Sequence, residues 1–302
     1  MLPVLKQTLR WIPLVVGVIA VLARFWVVDH GFPDVNEEAT SVRLAMLMWD
    51  RDTGDIDLNP HFFNYPALTF YLNAAAQSVY RFIANPTSPD SVTDRVPLDL
   101  VRIGRLINIL SMIGIAWITY LLGKMLMPRR WALWSGALML VIPLFIRYSV
   151  TSIVDIPLTL FTSWCLLEIA RAFRRPTEDG SIRIGLAIGL AASVKYTGAL
   201  LAVPYLLTLL DRSNWRSLRF LLTPAPYLAG ATAIIVFLVT NPYVALDFDT
   251  FYEHFSFERE HAATGHFGKS ASSILTYLIA LWDGLGPLGL AALLAGLIST
   301  TV

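Results

Sequence analysis

The sequence predicts an all-α polytopic membrane protein with about eight transmembrane helices and interfacial helices in a long first extracytoplasmic loop. Of its 302 residues 56% are hydrophobic and 15% are charged, whereas about 25% of residues are charged in soluble domains. The mean hydropathy is +0.60. Apolar segments long enough to cross about 30 Å of hydrocarbon recur along the chain, at about 11–28, 102–122, 131–148, 155–172, 222–240 and 273–296.

The first apolar segment, 11–28, follows Lys6 and Arg10, so it could be a signal peptide or an uncleaved first helix. It is long for the apolar region of a signal peptide, and polar residues from Asp29 onward stand where a small-residue cleavage site would be. We therefore expect an anchor that stays in the protein.

A longer apolar run, 182–210, could form one tilted helix or two short spans that meet at Lys195 and Gly198. With two spans, most arginines and lysines outside the apolar runs fall on one side of the membrane, and almost every carboxylate falls on the other. Because basic loops favour the cytoplasm, loops 29–101 and 241–272 are then extracytoplasmic, at a plasma or inner membrane. We expect one membrane-embedded domain over residues 1–302.

Composition also narrows the possible partners. The single cysteine, Cys165, lies in an apolar run, so an intramolecular disulfide is excluded and a cysteine-based metal site is not indicated. The net charge of +1 gives no indication of a nucleic-acid partner, and we expect none.

The first loop is acidic and partly helical. It places eight carboxylates between Asp29 and Asp57. Residues 37–49 have apolar side chains at helical spacing, which is typical of a helix at the membrane interface. Residues 65–83 form a second helical stretch that could span the membrane, although Asn73 and Gln77 favour an interfacial position.

Four charged residues fall at the predicted outer ends of helices, where burial in the membrane costs about 2.5–3.5 kcal/mol and makes each a functional candidate. They are Arg102, Arg147, Asp155 and Lys195. The arginines could instead reach the lipid headgroups, and Asp155 could simply cap its helix. Lys195 either pairs across helices or binds an anion.

Glu37 and Glu38 open the first helix of the acidic loop. Acidic residues at a helix start complement its dipole, which is one interpretation of the pair. The alternative is a general base that faces the cations Lys195, Arg102 or Arg147 as holders of an anionic leaving group.

The second loop carries a histidine pattern. His254, Glu258 and His261 lie at i, i+4 and i+7, so on a helix they share one face and could bind a metal. Such spacing is common by chance, so we assign no metal residues, and the question of a divalent cation stays open. Loop residues such as Arg259 and His266 could equally contact a substrate headgroup.

Several stretches together resemble a known family. They are NEEATSVRLAM, GDIDLNPHFFNYPALTFYL, VRIGRLINILS, RYSVTSIVDIPLTLF, GLAASVKYTGALL and NPYVALDFDTFYEHFSFEREHAATGHFG. In their order and spacing they resemble the C-superfamily membrane glycosyltransferases of the family 39 type, which includes protein O-mannosyltransferases and lipid A aminoarabinose transferases.

The resemblance implies transfer of a sugar from a polyprenyl-phosphate-linked donor to a protein, lipid or glycan acceptor at the extracytoplasmic face of the bilayer. It implies catalytic roles for Glu37, Glu38 and Asp155, and donor-phosphate binding by Lys195, with Arg102 and Arg147 at further basic positions of the family. One carboxylate on the acceptor side suits an inverting displacement. We expect the substrate cavity to be lined by His61, Asn64, Tyr65, Tyr148, Tyr196, Arg259, His261 and His266.

The chain also departs from the family pattern. Glu37 stands where the family has Asp, and residues 64–67 read Asn-Tyr-Pro-Ala where aminoarabinose transferases carry Glu-Lys-Pro-Pro. Because family members are usually longer, we expect the chain to correspond to the N-terminal part of the family pattern. Two alternatives are a transporter or flippase for lipid-linked sugar and a non-catalytic subunit that binds the donor.

Overall fold

The computed structural model describes residues 11–30, 36–49, 55–84, 96–213, 218–264 and 274–301. This part of the chain is helical, and its extended residues meet only in an isolated antiparallel bridge between Trp49 and Ile56. The helices are α1 (Ile12–Trp26), α2 (Asn36–Leu47), α3 (Leu68–Ala84), α4 (Leu98–Leu126), α5 (Arg129–Val141), α6 (Pro143–Ser149), α7 (Asp155–Arg174), α8 (Glu178–Val194), α9 (Ala202–Arg212), α10 (Ala225–Thr240), α11 (Tyr243–Leu246), α12 (Phe248–Thr264) and α13 (Ile274–Thr301), with 3₁₀ turns at Tyr196–Leu201 and Leu218–Leu222.

Three helices of the described residues are long and apolar enough to cross a membrane, namely α4, α7 and most of α13. The bent pair of α5 and α6 adds a fourth if it is one span, and α1 and α10 are shorter apolar helices. A helical membrane protein is therefore supported. The count of eight spans stays a prediction.

Two segments that we predicted as single spans are bent. The segment 131–148 turns by 57° between α5 and α6, at Ile142. Helix α13 is interrupted at Gly286, whose φ is +64°. A proline follows each bend, and proline disfavours the helical conformation of the residue before it. Gly286 tolerates its positive φ because it has no Cβ.

The apolar run 182–210 is divided, as predicted. Helix α8 ends at Val194, and Lys195 is extended, with φ −152° and ψ 132°. The chain continues through a 3₁₀ turn into α9. Gly198 allows the turn to lie on α8, since a Cβ there would be 2.3 Å from the carbonyl carbon of Ala191.

The two helices of the first loop pack on each other within the protein. Ala45 of α2 and Met48, which follows that helix, contact Ala67, which precedes α3, and Phe70 within α3, and all four residues are buried. The apolar face that predicted an interfacial helix is therefore covered by protein. Gln77 of α3 is also buried.

Small residues bring the later helices close together. Helix α8 packs against α10 and α7, and α4 packs against α5 and α7. A Cβ at Gly185 would lie 2.4 Å from the carbonyl oxygen of Ala229, so the two backbones touch. Close approach through small residues is the usual way in which membrane helices associate.

Candidate functional site

Lys195 and Asp155 form an ion pair at the break in the run 182–210. The distance from Lys195 Nζ to Asp155 Oδ1 is 3.2 Å. Asp155 lies in the first turn of α7, whose N-cap residue, Val154, makes no side-chain capping hydrogen bond. The pair is 34% and 49% exposed, so a ligand can reach both charges. The sequence allowed two interpretations of Lys195, an ion pair across helices or a site for an anion. The structure shows the ion pair, and the ammonium group stays accessible.

The first loop supplies a wall beside this pair. The ring of Tyr65 lies 5.9 Å from Lys195 Nζ, within the range of a cation–π contact. The Tyr196 hydroxyl donates to the carbonyl oxygen of Phe63 at 2.8 Å, and Asn64 Nδ2 donates to Glu258 Oε1 at 2.7 Å. We refer to Lys195, Asp155, Tyr65, Tyr196 and Asn64 as the Lys195 centre. Of the residues predicted to line the cavity, three meet here.

Hydrogen bonds fasten the same loop to α12 and the residues before it. The amide N–H of Phe63 donates to His254 Nδ1 at 3.1 Å, and that of Ala67 donates to Asn241 Oδ1 at 2.6 Å. Asn59 Nδ2 donates to Asp247 Oδ2 at 2.8 Å. This bond is the largest of the causes that lower the pKa of Asp247. The wall of the centre is therefore held from the second predicted loop.

His61 lies at the outer edge of the wall. Its backbone has φ +47°, and its Nε2 is 2.9 Å from Asp57 Oδ2. The hydrogen bond to His61 lowers the pKa of Asp57, followed by the hydrogen bond from the Asn59 backbone. The His61 side chain is 64% exposed, so it belongs to the surface turn more than to the Lys195 centre.

Glu38 occupies a second, buried centre. It accepts hydrogen bonds from Arg105 Nε at 2.5 Å, from Arg105 Nη2 at 3.0 Å and from the Ser152 amide at 3.0 Å. Arg105 also donates to the carbonyl oxygens of Val28 and His30. Both charged side chains are at most 2% exposed. A carboxylate held in this way fixes α2 against α4. The catalytic role expected for Glu38 stays a prediction.

The loop between α6 and α7 connects the two centres. Ser152 binds Glu38, and Asn108 Nδ2 donates to the carbonyl oxygens of Thr151 and Ile153. Asp155 follows directly and begins α7. The buried centre therefore sets the position of the Lys195 centre through a short, tightly bound segment.

The two predicted phosphate-binding arginines lie apart from Lys195 in their contacts. Arg102 pairs on the surface with Asp29 and Asp99, each at 2.6 Å. Arg147 lies over the ring of Tyr148 at 5.6 Å and lines a different cavity, described below. Their predicted part in donor binding stays a prediction.

Three predicted site residues fall where the structure describes no side chain. The backbone of Glu37 belongs to α2 and that of His261 to α12, while His266 lies outside the described residues. Arg259 is exposed on α12. The roles expected for these four residues stay predictions.

The described residues contain no group of three or more His, Cys, Asp or Glu side chains that could hold a metal ion. Two members of the predicted i, i+4, i+7 set have other partners, because His254 accepts from Phe63 and Glu258 accepts from Asn64. These two side chains hold the first loop in place.

Sequence reasoning missed Arg24 and Arg105. Arg24 is buried within α1 and donates to Ser149 Oγ at 2.6 Å and to the Leu140 carbonyl oxygen at 2.8 Å. Both arginines lie inside apolar runs of the sequence. That position could have identified them, since a cation at membrane depth needs a partner.

The apolar helices indicate a helical membrane protein. The partly exposed ion pair at the helix break gives it a polar site. Residues 101–243 match the family model of dolichyl-phosphate-mannose-protein mannosyltransferase. The match includes Asp155 and Lys195, and it confirms the resemblance to C-superfamily membrane glycosyltransferases of the family 39 type. Comparisons with curated proteins and with solved structures find no match.

Proposed function

We propose that the protein transfers a sugar from a polyprenyl-phosphate donor to an acceptor at the extracytoplasmic face. The observation that carries this proposal is the accessible Lys195–Asp155 pair, which lies inside the family match and beside the aromatic wall of the first loop. The family match supports the transferase class. The donor, the face and the mechanism are the proposal.

Lys195 stabilises the departing phosphate in this mechanism. The bond between the anomeric carbon and the phosphate oxygen breaks, and the charge that develops on that oxygen meets the ammonium group. Asp155 keeps the ammonium in place at 3.2 Å while leaving part of it exposed. Tyr65 offers a ring face beside the cation, on which a sugar can stack.

Glu37 acts as the base. It takes the proton of the acceptor hydroxyl, whose oxygen then forms the new bond at the anomeric carbon from the side opposite the phosphate. This single displacement inverts the anomeric centre. The three hydrogen bonds on its neighbour Glu38 support a division of roles, in which Glu38 anchors α2 and Glu37 reacts.

The experiment is a transfer assay with detergent-purified protein and radiolabelled polyprenyl-phosphate sugars. We expect Lys195→Gln to lower turnover about 10²–10³-fold, the usual effect of losing one group that stabilises transition-state charge. We expect a general-base loss of about 10²–10⁴-fold for Glu37→Gln. Asp155→Asn, which leaves Lys195 without its ion pair, should also abolish transfer, and all three variants should remain folded.

Two matched controls separate these roles from general effects of charge. Lys124 also lies over a tyrosine ring, that of Tyr120, so Lys124→Gln removes the same group elsewhere. Glu178 is an acid in the first turn of α8, so Glu178→Gln tests the dipole interpretation of Glu37. Near-normal turnover in both Glu37→Gln and Asp155→Asn would refute the mechanism. Activity that requires sealed vesicles would indicate a flippase, and donor binding without turnover would indicate a non-catalytic subunit.

A further inference from the structure

A cavity of about 640 Å³ lies between α1, α4, α5 and α6, apart from the Lys195 centre. Its long wall is apolar and includes Val16, Ile19 and Ala23 of α1. Its other end is polar and includes His30, Glu38 and Arg147. We name it the Arg147 cavity. It has the form of a site for an amphipathic ligand with a charged head.

The length of the apolar wall matches one leaflet of a bilayer. Lining residues run from Val16 in α1 to Val27 directly after it, which at about 1.5 Å per residue is about 16 Å. Half of a hydrocarbon core of about 30 Å is close to this length. A single acyl chain therefore fits the wall, whereas the longer chain of a polyprenyl lipid would extend past it.

The charges at the polar end are not equivalent. Arg24 binds Ser149, Ala20 and Leu140, and Arg105 binds Glu38, so these two guanidinium groups are fully engaged. Arg147 has only the ring of Tyr148 beneath it, and within the described part of the chain it makes no hydrogen bond or ion pair. A guanidinium group matches the geometry of a phosphate oxygen pair, and at membrane depth it needs an anionic partner.

We propose that the Arg147 cavity binds one anionic phospholipid of the bilayer, with an acyl chain along α1 and the phosphate at Arg147. The inference goes beyond the proposed transfer reaction and does not depend on it. It assigns Arg147 to the bilayer lipid and leaves Lys195 as the cation for the donor phosphate.

The test is native mass spectrometry of the protein released from vesicles of equimolar phosphatidylglycerol and phosphatidylcholine. We expect one phosphatidylglycerol to be retained, in preference to phosphatidylcholine. Arg147→Gln should lower this retention at least about tenfold, the factor expected from losing a charge-assisted hydrogen bond. Ala23→Phe, which fills the apolar wall without removing a contact, should have a similar effect.

Arg130→Gln is the matched control, because Arg130 lies over the ring of Trp131 at the same 5.6 Å as Arg147 over Tyr148. It should retain the lipid. Equal retention of both phospholipids by the wild type, or unchanged retention in Arg147→Gln, would overturn the proposal. So would displacement of phosphatidylglycerol by polyprenyl phosphate together with a raised donor KM in Arg147→Gln. The binding measurement stands even if the protein transfers no sugar.

Discussion

Arg105→Leu should strongly destabilise the protein, although it replaces a charged side chain with an apolar one in an apolar helix. The substitution removes two hydrogen bonds to Glu38 and two to the carbonyl oxygens of Val28 and His30. Among the described residues, Glu38, which is fully buried, then keeps only its bond from the Ser152 amide. Breaking a buried ion pair by removing one partner costs about 3–5 kcal/mol. That is a large part of a typical stability of about 5–15 kcal/mol.

Arg102→Leu is the matched control, one turn earlier on the same helix. Arg102 also binds two carboxylates, but the groups are 43% to 51% exposed, and exposed pairs contribute about 0–1 kcal/mol. Unfolding in mixed micelles of increasing SDS, followed by tryptophan fluorescence, measures both changes. The double variant Glu38→Gln/Arg105→Met should recover part of the loss, because no buried charge remains unpaired. Equal destabilisation by Arg102→Leu and Arg105→Leu would refute this reasoning.

Two further predictions concern the Lys195 centre. Gly198→Ala should reduce both stability and transfer, because its Cβ would overlap the Ala191 backbone. The control Gly230→Ala should be neutral or stabilising by up to about 1 kcal/mol, since its Cβ meets open space within a helix. Thermal unfolding and the transfer assay measure both variants, and equal effects of the two substitutions would contradict the prediction. The hydrogen bond from the Asn59 side-chain amide to Asp247 should weaken only at acid pH, because the pKa of Asp247 lies below its ordinary value of about 3.9. The stabilisation is present above that value and is lost as pH falls through the lowered pKa. Hydrogen exchange of the Asn59 side-chain amide should show opening that does not depend on pH above about pH 4, and opening that grows between neutral pH and that value would contradict it.

The helices that the sequence predicted best are those bounded by changes of composition. The segments 155–172 and 222–240 correspond to Asp155–Arg174 and Ala225–Thr240. Hydropathy reports which residues avoid water, and a bent apolar segment is as apolar as a straight one. Hydropathy therefore did not predict the bends at Ile142 and Gly286, although the prolines that follow them in the sequence could have indicated them.

The candidate site was predicted as separate residues and not as pairs. Lys195 and Asp155 were each singled out because ionisable groups at membrane depth are costly, yet their pairing joins positions 40 residues apart. Arg105 lies 67 residues from Glu38. Contacts over such separations depend on how helices pack, which a periodic pattern does not encode. A single sequence therefore indicates which charges need partners and leaves the partners to the fold.

The hydrogen bonds that hold the first loop have a consequence for the order in which the protein is made. Asn59, Phe63 and Asn64 bind partners that lie 188 to 194 residues later in the chain. The ribosome synthesises the first loop long before those partners exist. The wall beside Lys195 can therefore close only after α12 has been translated, so the nascent chain carries an open site until that helix has been made.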